Sequence, residues 1–112
     1  MATRTQTVDF ILDQLSDLVS VSARKMFGDY ELWFDGKLVA VICRDQLFLK
    51  ITAAGRALTV DPVETPPYPG AKPSLLIDAG RWDDREWLGG LIQKTAYQLP
   101  TPAPKRPKRA RQ

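Results

Sequence analysis

One cysteine, no histidine and a scatter of carboxylates set the limits on what chemistry this 112-residue chain performs. Without histidine, the commonest general base and the commonest transition-metal ligand are both missing. Ser-His-Asp or Cys-His catalysis has no base within the chain. Cys43 ends the apolar run 38–43, with Arg44 as its charged neighbour. A reactive thiolate needs an exposed, electropositive setting, so Cys43 reads as a small buried hydrophobe. Being alone, it forms no intramolecular disulfide. The densest acidic group is Asp83, Asp84 and Glu86. Asp83 and Glu86 have capping-box spacing, and carboxylates are favoured at the start of a helix. Asp29, Glu31, Asp35 and Asp45 fall in turns or at strand ends, with no Mg²⁺ or Ca²⁺ ligand spacing. Gly28 stands alone, and no glycine-rich phosphate loop is present. These residues predict a non-enzymatic protein with no catalytic residues, no metal and no cofactor.

The elements that would position these residues follow from periodicity. Phe10, Ile11, Leu15, Leu18 and Val19 recur at helical spacing opposite Asp9, Asp13 and Asp17, which predicts a helix over 7–19 with Thr7 as its cap. Four strands are expected next, over 21–27, 30–34, 37–43 and 46–51. Asp35-Gly36 between two apolar runs is a strong hairpin signal, and Arg44-Asp45 turns the chain again. Connections this short require an antiparallel meander. Thr52 caps a short helix ending at 58. Residues 74–77 make a further strand, and 83–98 a last helix with an apolar stripe of Trp87, Leu88, Leu91 and Ile92. Gly89-Gly90 interrupts that helix. It reads as close packing against the sheet, with a hinge or partner contact as the alternative.

All nine prolines lie in two segments, 62–73 and 100–107. Proline breaks helix interiors and sheet ladders, so the first is a connecting loop, with Tyr68 expected to anchor it to the body. The second opens a Pro/Lys/Arg-rich tail over 100–112, expected to be disordered. That tail holds Lys105, Arg106, Lys108, Arg109 and Arg111. The whole chain carries 16 basic and 13 acidic residues, net +3, so without the five tail cations residues 1–99 have 11 against 13, net −2. Nucleic-acid contact is therefore expected, if anywhere, from the tail, weak and sequence-blind. No apolar run approaches the roughly 18 residues of a membrane span, and no secretory signal is read at the start. A cytoplasmic location and no membrane contact are expected.

The order of elements gives an α+β fold of two layers, a mostly antiparallel sheet with helices packed on it. Trp33 and Phe34 are neighbours, as are Leu47, Phe48 and Leu49, so both sheet faces receive large apolar residues. An apolar face left uncovered by two layers points to a protein partner, another copy of the chain included.

Two stretches carry a family resemblance. Residues 24–33, with Met26, Phe27, Gly28 and Tyr30, followed by Asp35-Gly36, resemble the signature of the TfoX/Sxy N-terminal domain. So does the later run 67–73, with Tyr68, Pro69 and Gly70, and the intervening 45–50. The resemblance covers residues 8–99 and implies a secretion-chaperone-like α+β domain. It also implies a regulatory or adaptor role, since relatives include competence regulators acting with transcription machinery. Those relatives carry a second, C-terminal domain where this chain has its basic tail. The family offers no catalytic residues. The matched residues are read as structural, with Gly28 allowing a bulge or turn and the aromatics packing around it.

Overall fold

Residues 21–49 form three successive hairpins, because each connection is two residues long and both carry positive φ. The pairs are Phe27-Gly28 (φ 48° and 87°), Asp35-Gly36 (52° and 78°) and Arg44-Asp45 (51° and 61°). This is the backbone that matches the twist of the flanking strands. The computed structural model describes residues 3–100. The described residues contain helices α1 (Thr5–Gln14), α2 (Ala53–Leu58) and α3 (Arg85–Gln98). The strands are β1 (Val21–Met26), β2 (Asp29–Phe34), β3 (Lys37–Cys43), β4 (Gln46–Leu49), β5 (Val63–Thr65) and β6 (Ser74–Ile77), with a 3-10 turn at Ala79–Arg81. The sheet order is β1-β2-β3-β4-β6-β5, antiparallel throughout. The fold is α+β, as expected.

Register assigns the faces. Tyr30, Ile42, Leu47 and Ile77 lie in one row across four strands, and Ala23, Leu32, Ala40, Leu49 and Leu75 in the next. These rows join Val8, Ile11 and Leu15 of the α1 segment and Leu88, Leu91, Ile92 and Ala96 of α3 in one core. Each large side chain so buried is worth about 1.5–3 kcal/mol. The short helix α2 packs on the same side. A Cβ on its Gly55 would come within 3.1 Å of the Leu75 side chain, tighter than an ordinary contact, so glycine eases the close approach of this helix. All three helices therefore lie on one face.

A bulge on β3 adjusts the pattern. Leu32 pairs with Ala40 but Trp33 with Leu38, so Val39 is the extra residue, and it is buried in the core beside Ala40. Lys37 then returns to the helix side, where its Nζ donates to the carbonyls of Ala96 (2.8 Å) and Leu99 (3.0 Å). A cation there complements the C-terminus of α3.

Several expectations need correcting. α1 spans 5–14 with Arg4 at its cap position, and Thr7 is a buried residue inside it. Leu15 and Leu18 still pack on the core from the turns after the helix, which is why the apolar period ran past its end. The cap of α3 is Asp84, whose side chain accepts from the Trp87 N–H, while Asp83 stands outside. Thr52 caps α2 as read, accepting from Gly55 N at 3.0 Å. The proline loop contains β5, an edge strand paired to β6. Its buried residue is Pro67, while Tyr68 is 46% exposed. Gly89-Gly90 is not a close-packing site, since a Cβ on either would meet nothing within 4 Å. No helix among the described residues is long and apolar enough to cross a membrane.

Candidate functional site

Two of the three hairpin turns, Phe27-Gly28 and Arg44-Asp45, share one end of the sheet with the chain entering α1. Thr3 N donates to the Gly28 carbonyl at 3.0 Å. Thr3 Oγ1 donates to Asp29 Oδ1 at 2.8 Å, and Arg44 N donates to the same carboxylate at 3.2 Å. Asp45 holds the start of α1. It accepts from Arg4 N and from Thr7 Oγ1, both at 2.8 Å, and from Arg4 Nε at 3.2 Å. These bonds, led by the Arg4 N–H, hold the Asp45 carboxyl below its ordinary range. Both acids at this end are thus engaged with the protein itself. Arg44 and Lys25 are exposed, and the Arg4 side chain is 69% exposed. At the tip, Phe27 is fully exposed (101%). The expectation that the aromatics pack around Gly28 fails here, because a residue on a two-residue turn projects past the sheet's end.

A second surface is the sheet face away from the helices. One row across it reads Arg24, Glu31, Val41, Phe48, Leu76 and Val63, and Ser22, Trp33 and Leu38 lie in the next. Phe48 and Cys43 are buried yet stand outside the main core. Trp33, Leu38, Val41 and Leu76 are half-buried, and Val63 is exposed. The face is thus less bare than expected, but no helix among the described residues lies on it. The Arg24 guanidinium sits 4.6 Å over the Trp33 ring, and Trp33 Nε1 donates to Glu31 at 3.3 Å. A cleft of about 430 Å³ opens beside β5 and β6, lined by Val60, Val63, Leu76, Arg81 and Trp87 with Asp61 and Asp78. Arg81 stacks on Trp87 at 4.0 Å there.

Burial, reinforced by the nearby Asp29 charge, raises the Cys43 thiol to about 11, which fits its reading as a buried hydrophobe. No group of three His, Cys, Asp or Glu among the described residues is placed to hold a metal.

The motif residues do not converge. Met26, Phe27, Gly28 and Tyr30 belong to the β1–β2 hairpin, and Asp35-Gly36 turns at the opposite end of the sheet. Tyr68, Pro69 and Gly70 lie between β5 and β6, across the sheet from both. Lys105, Arg106, Lys108, Arg109 and Arg111 lie outside the described residues. Sequence reasoning missed the brace formed by Thr3, Arg4 and Thr7 with Asp29 and Asp45. Its partners are 26 to 41 residues apart, so no local spacing signals it.

The family model of the TfoX N-terminal domain matches residues 13–98. The chain is also similar to a Spirochaeta aurantia protein described as an uncharacterised 12.7 kDa protein in the trpE 5′ region. The two are 36% identical over 113 residues, covering 96% of this chain and 93% of that one.

Proposed function

The chain belongs to the TfoX N-terminal domain family, and from that membership we propose a non-enzymatic regulatory module of the cytoplasm that acts through protein contact. A second copy of the chain is the proposed occupant of the helix-free sheet face. One observation carries this reading: all three helices cover one face, while Trp33, Leu38, Val41 and Leu76 remain half-buried on the other. Arg24 and Glu31 are cross-strand partners on that face, so it has cation and anion side by side and suits itself better than a strongly charged partner. A self-complementary patch is what a two-fold dimer uses, and two sheets stacked by such faces form a sandwich core. A place beside the transcription machinery is the finer part of the proposal, supported by the regulators within the family.

Sedimentation velocity across the micromolar range tests the contact. A dimer is expected, and Leu38→Lys is expected to return it to monomer with its circular dichroism unchanged. A wild-type chain that stays monomeric throughout overturns the proposal.

A further inference from the structure

Phe27 combines two unfavourable features at a hairpin tip, the first of them shared with Arg44 at φ 51°. A bulky residue at φ 48° occupies backbone space that glycine, asparagine or aspartate fills with less strain. The neighbouring hairpin between β2 and β3 uses Asp35-Gly36 for the same geometry. The Phe27 ring is also wholly exposed. Both features destabilise the chain, and no contact among the described residues offsets them. A strained aromatic held in place by a braced turn is a reason to look for a ligand.

The surroundings state the ligand's chemistry. Three basic residues lie at this end of the sheet: Lys25 on β1, Arg44 on the β3–β4 turn and Arg4 before α1. Asp45 is ion-paired with Arg4, and Asp29 accepts from neutral donors, the Thr3 hydroxyl and the Arg44 N–H, so Lys25 and Arg44 are the cations here without an ion pair among the described residues. Met26, the apolar neighbour in sequence, is half-buried. A single exposed ring beside basic side chains offers a face to stack on and charge to meet an anion. It matches a flat π-face joined to phosphates, as an aromatic platform in a positive groove does for single strands.

We infer that this end of the sheet binds single-stranded nucleic acid, with Phe27 stacking on an unpaired base and Lys25 and Arg44 meeting adjacent phosphates. A single strand is required because a base within a duplex offers no open face to a ring at a hairpin tip. The site is separate from the helix-free sheet face and does not rest on the dimer.

Fluorescence anisotropy with the full chain and a labelled oligothymidylate at low salt tests it. Phe27→Asn is expected to weaken binding about ten-fold, the effect of losing one stacked base, and Phe27→Trp to retain it. Arg44→Asn is expected to lower the slope of log affinity against log salt by about 0.7. Asparagine suits both turn positions, so both variants remain folded, and the Phe27→Asn melting temperature is expected to rise. Binding through the basic tail alone would leave wild type and Phe27→Asn equal, and that result overturns the inference. So does an absence of binding, or a blunt duplex of the same length binding as tightly as the single strand.

Discussion

On the helix side of the sheet, Tyr30, Ile42, Leu47 and Ile77 form a row that shares the core with Ile11, Leu88 and Leu91. On the other side, the row from Arg24 to Val63 passes through Val41, Phe48 and Leu76, and Phe48 alone in it is buried. The two rows contain side chains of similar size and polarity at their centres. What separates them is the layer above. On one face apolar area is consumed by folding; on the other it remains for contact. Truncating one residue on each side measures this difference. Leu88→Ala, at a fully buried position, is expected to lower stability by about 2–5 kcal/mol in urea unfolding. Leu38→Ala, half-buried on the open face, is expected to cost about 1 kcal/mol when the chain is dilute enough to be monomeric. Equal losses would mean that both faces are core.

Cys43 sharpens the comparison from within the open face. Its side chain is buried although it lies away from the helices. The thiol ionises at about 11 in the folded chain, against an ordinary 9.0. Between those values the folded state retains a proton that the unfolded state has lost, so stability falls as pH rises through this window. Urea midpoints at the two ends of the window are expected to drop further for wild type than for Cys43→Ala. Identical drops would place the thiol in contact with water and would enlarge the exposed part of the face.

The sequence-readable part of this arrangement was the local part. The Asp35-Gly36 hairpin, the Thr52 cap and the boundaries of β3 and β6 rest on interactions within a few residues, and each was legible. β5 was not, because three residues at a sheet edge between prolines give no alternation to read, and an edge strand tolerates flanking proline. The bulge at Val39 was equally silent, since it appears only when β2 and β3 are in register. The start of α1 was misplaced because Thr7 has the chemistry of a cap but uses its hydroxyl on Asp45, 38 residues away. Among the motif residues, Met26, Phe27 and Gly28 were visible as a pattern. Their packing was misjudged, because a tip residue's exposure depends on how far neighbouring elements reach beyond the turn.

The glycine pair of α3 tests whether the helix layer is as tightly filled as the core beneath it. Glycine inside a helix is unfavourable by roughly 1 kcal/mol relative to alanine, and such a position persists where a side chain would clash. Here a Cβ on Gly89 or Gly90 has open space, and the pair borders a shallow cleft with Gln14, Leu18 and Arg85. Gly90→Ala is therefore expected to raise stability by up to about 1 kcal/mol in thermal or urea unfolding. A gain places the pair outside the steric demands that fix Gly55, where a Cβ would lie 3.1–3.2 Å from Leu75 and Thr52. A loss would mean that the outer surface of the helix layer is constrained like the sheet side, and that the contrast between filled and unfilled surfaces ends at the sheet.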